Sequence, residues 1–228
     1  MQRNALLAAT LLASALFGAA AHAAPIGGPS ALTVAGVTFS GFECTLTGAG
    51  DAAPGACAQI AVGANAQGDG ISFSSGFTAL GEGLNFSDAV LTFRASAAPG
   101  AAGIAGVSLG FNGTFLGMAV ASVTETVRDA ATLRQLAFLE VACDPYECRR
   151  NDPVAGYMDL GAGYAELLIQ KDINVSAFRG RAQISIVDQG FRTHVPEPAS
   201  MALFGVGLLG LALGRRASRS DARRVAAG

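Results

Sequence analysis

Carboxylates are the most plentiful groups in this 228-residue chain that could do chemistry. Glu82, Asp88, Glu125, Glu140, Glu166 and Asp188 are spread along its middle. A glycoside hydrolase needs only two such groups across a cleft. A second acidic set, Asp144, Glu147, Asp152 and Asp159, gathers around Cys143 and Cys148. Asp144, Glu147 and Asp152 offer the hard oxygen ligands that calcium takes. The spacing matches neither an EF-hand loop nor an RTX-type nonapeptide, and Arg149 and Arg150 partly neutralise the cluster. A solvated loop is therefore the expected reading, and no metal or other cofactor is assigned.

Histidine chemistry is poorly provided for. The two histidines are His22 and His194, one near each end, so a Ser-His-Asp or Cys-His machine has no histidine in the body. A histidine-based metal site falls on the same ground. The chain has no Trp to form an indole platform for sugars. Carboxylates on an acidic surface otherwise serve as solvated faces, so the chain is read as a non-enzyme.

Four cysteines, Cys44, Cys57, Cys143 and Cys148, leave three connectivities open. Pairing Cys44 with Cys57 and Cys143 with Cys148 is preferred, because each bond would clip a short local loop. Loops of this size give roughly 2–3 kcal/mol each on the chain-entropy model. A four-cysteine zinc site is the alternative, although the separations lack the close spacing of zinc knuckles.

Short apolar–polar alternations must position these groups. They recur at 71–74, 88–94, 106–111 and 181–186, and their period of two gives a strand one apolar and one polar face. Further strands are expected at 31–40, 42–47, 57–62, 117–127, 134–142, 157–169 and 172–177. The stretch 132–140 also holds helix formers, but Leu139, Val141 and Cys143 alternate in step, which favours a strand. Asn112-Gly113 reads as a type I′ hairpin turn. The fold class expected is all-β, an antiparallel β-sandwich or jelly-roll-like domain over 24–191. Three sequons, at Asn85, Asn112 and Asn174, matter only if the host glycosylates exported asparagines.

The two ends read as an address. Arg3, an apolar run over 5–20 and Ala21-His22-Ala23 have the order of a signal peptide over 1–23, cut by signal peptidase beside Ala21 and Ala23. Near the other end comes Val195-Pro196-Glu197-Pro198, in a linker over 192–198. An apolar helix over 199–214 and a basic tail over 215–228 follow, the tail containing Arg215, Arg216 and Arg219. The helix would be about 24 Å long at the helical rise, short of a hydrocarbon core of about 30 Å. It spans with snorkelling arginines and local thinning, and the basic tail stays cytoplasmic. Between the ends lie 16 acids against 9 bases, a charge of about −7 that repels polyanions, so no nucleic-acid partner is expected. The only lysine is Lys171.

This C-terminal order of Pro-Glu-Pro, glycine-rich apolar helix and arginine stop resembles the PEP-CTERM sorting signal. The resemblance implies processing at Pro196–Pro198 by a membrane protease of the exosortase type, which becomes a partner alongside signal peptidase and the membrane. It implies an exported protein, first tethered to the inner membrane, then delivered to the cell surface or extracellular matrix. Association with exopolysaccharide and biofilm is a further implication. It assigns no activity to the body. The alternatives are a carbohydrate- or calcium-binding module of the same architecture and a carboxylate-based glycoside hydrolase.

Overall fold

The computed structural model describes residues 23–28, 31–50, 52–144, 146 and 154–193, with 154 and 155 described by backbone alone. The segments read as signal peptide (up to residue 22), sorting motif, apolar helix and basic tail lie outside these residues, as do Glu147, Cys148 and Asp152. Among the described residues no helix is long and apolar enough to cross a membrane.

Among the described residues nine antiparallel strands are formed: β1 (Ala24–Pro25), β2 (Ala31–Val34), β3 (Val37–Ala49), β4 (Ala61–Ala64), β5 (Gly70–Ala97), β6 (Ile104–Asp129), β7 (Gln135–Cys143), β8 (Val154–Tyr164) and β9 (Glu166–Thr193). β9 is central and pairs along nearly its whole length with β5 on one side and β6 on the other. These three strands are far longer than the five or six residues usual for a strand. Each doubles back, so that one hydrogen-bonded sheet supplies both layers of a sandwich. Phe73 and Phe93 on β5 have ring centroids 5.6 Å apart, whereas twenty residues of straight strand would separate them by about 66 Å.

One layer runs β1, β4, then β5 near 70–74, β9 near 186–193, β6 near 104–112, and β8. The other runs β2, β3, then β5 near 86–97, β9 near 166–177, β6 near 119–129, and β7. The crease between them falls on a row of glycines: Gly81 pairs with Gly180, and Gly180 pairs with Gly117. All three have positive φ, 127° at Gly180. A Cβ on Gly180 would lie 1.9 Å from the Leu116 carbonyl oxygen. Register shifts at Glu82/Asn85 on β5 and at Met118/Ala119 opposite β9 flank the row. Bulges of this kind bend and twist a strand.

Between the layers lies one core, whose aromatic centre is built by Phe39, Phe73, Phe93 and Phe191, with Phe42 packed at its edge. Phe39 of β3 and Phe191 of β9 meet at 5.0 Å from opposite layers. Of the alternation expected at 181–186, Ala182 and Ile184 face inward but Ile186 is exposed, while earlier on β9 the same period places Leu167, Ile169, Ile173 and Val175 inside.

The expectation of an antiparallel β-sandwich is met, with strands longer and fewer than expected. The stretches 71–74 and 88–94 are two ends of β5, and 106–111 and 117–127 both lie in β6. Asn112-Gly113 is not a turn: it lies inside β6, opposite Ile186 and Ile184, at a register shift. The two-residue turn with positive φ at both positions is Ala35-Gly36 (49° and 78°), which closes the β2–β3 hairpin between Val34 and Val37. Residues 57–59 form a 3-10 turn rather than strand, and pairing begins at Ala61. The expected strand 157–169 breaks at Ala165 between β8 and β9. β9 continues through Thr193, paired with Ile104, two residues into the stretch read as linker. The strand alternative for 134–142 holds as β7.

Candidate functional site

Two polar constellations stand out, one inside the sandwich and one on its outer face. The inner one is formed by Glu125 of β6 with Lys171 and Gln189 of β9, all fully buried. Glu125 and Lys171 are direct cross-strand partners in one layer. Gln189 comes from the other layer, paired with Ile71 and Leu109, and reaches them only because β9 doubles back. Lys171 Nζ donates to Glu125 Oε2 at 2.5 Å and to Gln189 Oε1 at 2.6 Å. Gln189 Nε2 donates to Glu125 Oε1 at 2.9 Å, closing the triangle. Burial pushes the Lys171 pKa down, while the Glu125 carboxylate pulls it up.

Sequence reading placed Glu125 among the carboxylates available to a hydrolase and missed the triangle. A signal was present: Lys171 is the chain's only lysine and stands in phase with the inward Leu167, Ile169, Ile173 and Val175. Glu125 was likewise in phase with Val123 and Val127. What pattern alone cannot show is that residue 189 returns to within hydrogen-bond reach of residue 171.

The outer constellation is a concavity of about 300 Å³ on the layer containing β8. Asn65, Gln67, Asp69, Ser108, Asn112 and Asp188 line it. Asn65 holds it in shape: its side chain donates to Asp69 Oδ1 at 2.7 Å and accepts from the Asp69 and Gly70 backbone amides. Gly190 lets the Asp69 carboxylate settle over the sheet, since a Cβ there would lie 2.4 Å from Ser108 Oγ and 3.2 Å from Asp69 Oδ2. Burial raises the Asp188 pKa, and the Asp69 carboxylate raises it further. An adjoining hollow is lined by Asp69, Ser108, Tyr157 and Arg192. Tyr157 is half exposed, and Arg192 donates to its hydroxyl at 3.1 Å. A separate, mostly apolar groove of about 570 Å³ lies beside the crease, where Leu84, Met118 and Phe178 are exposed.

The remaining carboxylates do not meet at one place, although one pair, Asp88 and Asp172, comes together. Glu166 pairs with Arg94 at 3.2 Å, both well exposed. Glu140 is exposed on β7, and Glu82 lies at the crease opposite Arg179. Asp88 neighbours Asp172, whose pKa rises to about 6 through burial and then through the hydrogen bond and charge of Asp88. Of the calcium candidates, Asp144 accepts a hydrogen bond from the Tyr146 amide at 2.6 Å, and the other two lie outside the described residues. Among those residues no group of three or more His, Cys, Asp or Glu could hold a metal ion.

The Cys44–Cys57 disulfide is formed as expected, with a Cα–Cα distance of 6.0 Å. It ties the 3-10 turn to β3 where β2 no longer pairs with it. Cys143 is also disulfide-bonded. Its expected partner, Cys148, lies outside the described residues. Of the sequon asparagines, Asn85 is buried.

Fold and bonding thus define the class: a disulfide-stapled, wholly antiparallel β-sandwich. Residues 194–217 match the PEP-CTERM protein-sorting motif, as the C-terminal residues implied. That motif supports an exported protein processed by an exosortase. No curated protein matches the chain. Among solved structures it is similar to TmCBM61 in complex with β-1,4-galactotriose, at 10% identity and a TM-score of 0.35, over 66% of this chain and 88% of that one. It is also similar to the enzymatically active domain of bacteriophage CBA120 tailspike protein 4, at 14% identity and a TM-score of 0.34, over 66% of this chain and 19% of that one.

Proposed function

We propose that this chain is a non-enzymatic cargo of an exosortase-type sorting system, delivered to a bacterial surface or its exopolysaccharide matrix. The match of the PEP-CTERM motif to residues 194–217 carries the reading. The order of events follows from the sequence. Signal peptidase cuts beside Ala21 and Ala23, the helix over 199–214 holds the precursor in the inner membrane, and Arg215, Arg216 and Arg219 keep the tail inside. Pro196 and Pro198 fix φ and disfavour helix in the residues before them, which favours the extended form a protease takes as substrate. What supports a passive role is that two of the candidate carboxylates are already ion-paired, Glu125 with Lys171 and Glu166 with Arg94. Deleting Pro196–Pro198 tests the reading. The variant is expected to accumulate in the membrane fraction at precursor size, and unchanged surface delivery would contradict it.

A second reading, glycan binding by the same body, is favoured by the outer concavity. It combines carboxylates at Asp69 and Asp188, amides at Asn65 and Gln67, and the half-exposed Tyr157 ring beside Arg192. Hydroxyl-rich ligands take such acceptors and donors around an aromatic face. Glycan-array binding that survives EDTA and is lost in Tyr157→Ala supports it, and an array with no signal removes it.

A further inference from the structure

The buried Glu125–Lys171–Gln189 triangle has the parts of a reaction as well as those of an ion pair. The chain has fourteen arginines and one lysine. Among the described residues it is the lysine, and no arginine, that is buried in the core. A guanidinium does not give up its proton in a protein, whereas an ammonium in a low-dielectric site can, leaving a nucleophilic amine. Arginine also forks better than lysine onto a carboxylate. A purely structural pair had the better residue available.

The geometry supplies an electrophile and a proton carrier. Gln189 Oε1 is 2.6 Å from Lys171 Nζ. Its carbonyl carbon lies one C=O bond of about 1.2 Å from that oxygen, so Nζ is within about 3.8 Å of it. Near-attack separations are about 3–3.5 Å, and the broad terminal torsion of glutamine lets the amide face turn toward Nζ. Glu125 touches both reactants: one oxygen accepts from Nζ, and the other accepts from Gln189 Nε2, the atom that must leave. In register on either side stand Leu91, Leu139, Ile71 and Leu109. They are all buried, and this excludes the water that would compete as nucleophile.

We propose that Lys171 and Gln189 join in an intramolecular amide cross-link, with Glu125 as the proton shuttle. The Lys171 ammonium gives a proton to the Glu125 carboxylate. The free amine pair forms a bond from Nζ to Gln189 Cδ, pushing the C=O electrons onto Oε1. Glu125 then protonates Nε2, the Cδ–Nε2 bond breaks as the carbonyl reforms, and ammonia leaves. The surplus proton on Nζ passes back to Glu125 and departs with the ammonia as ammonium, which restores the carboxylate. No oxidant, metal or second substrate is required. The product ties the two layers together through the two halves of β9, a covalent strut inside a body already stapled by a disulfide. This inference is independent of the sorting motif.

Intact mass spectrometry of the purified, denatured wild-type chain tests it. The mass is expected to be short by one ammonia after the disulfide hydrogens are counted, and fragmentation should recover a branched peptide joining Lys171 to Gln189. Since Lys171 is the only lysine, an amine-reactive reagent should then label the denatured chain once, at its α-amino group. Glu125→Gln should keep the ammonia and label twice. If that variant does not fold, the wild type decides alone. Full mass and two labelled amines in the wild type overturn the proposal, and a cross-link in folded Glu125→Gln overturns the role given to Glu125.

Discussion

Gly180 on β9 faces Leu116 on β6 so closely that a Cβ would sit 1.9 Å from the Leu116 carbonyl oxygen. That contact marks the crease where one sheet becomes two layers, and it brings Phe73 to Phe93 and Gln189 to Lys171. Everything assembled in the core depends on strands that turn there.

Gly180→Val should therefore be severely destabilising. The position has φ of 127°, which a β-branched residue does not adopt without strain. Strain and steric overlap together should cost about 3 kcal/mol or more, read as a lower urea midpoint or as loss of soluble protein. Tyr146→Ala, at an exposed position outside the strands, should leave the midpoint nearly unchanged.

Removing Glu125 from the buried triangle leaves the Lys171 ammonium uncompensated and, on the proposal above, unlinked. Glu125→Ala should cost about 3–5 kcal/mol in urea unfolding. Replacing Glu125, Lys171 and Gln189 together by Leu, Met and Leu should recover much of that loss, because an apolar core needs no partner for the ammonium. Equal losses in the single and triple variants would show that the unpaired ammonium is not what destabilises the single variant.

Asp172 gives the body an acid-side gain in stability. Its folded pKa of about 6 lies above the ordinary carboxylate value of 3.8. The folded state therefore binds the proton more tightly than the unfolded state does. The stabilisation is fully present below pH 3.8, as far as this group is concerned, and is lost as pH rises through about 6. Asp188, raised by its own burial and by Asp69, acts in the same direction. Tm should rise from pH 7 to pH 5, and Asp172→Asn should raise Tm at pH 7 while flattening the slope.

The Cys44–Cys57 bond closes a loop with a sequence separation of 13. Cys44→Ser with Cys57→Ser should lower stability by about 2–3 kcal/mol on the chain-entropy model. Reductant should produce a larger fall in Tm for the wild type, whose bond at Cys143 opens as well, and a smaller one for the variant, which retains only that bond.

The sequence and the fold agree where local chemistry decides and part where long-range return decides. Alternation in 88–94 revealed an inward face of Ala89, Leu91 and Phe93, and the spacing of Cys44 and Cys57 suggested their bond, since both are short-range facts. Asn112-Gly113 misled because a turn dipeptide inside a long strand was used for close approach: a Cβ on Gly113 would lie 2.4 Å from the Gln183 carbonyl oxygen. The real tight turn, Ala35-Gly36, has an alanine at positive φ, a choice that turn propensity does not favour. The triangle was half legible: a lone lysine in an apolar phase marked one corner, but Gln189 joins it only through the crease. Strand length was illegible for the same reason, because bulges that bend a strand read in sequence as turns that end it.

The mass of the form released from the cell tests the central claim of sorting most directly. The account predicts a chain beginning at Ala24 and ending near Pro198, without the apolar helix or Arg215, Arg216 and Arg219. A released chain that still contains residues 199–228, or one that keeps residues 1–23, would contradict it.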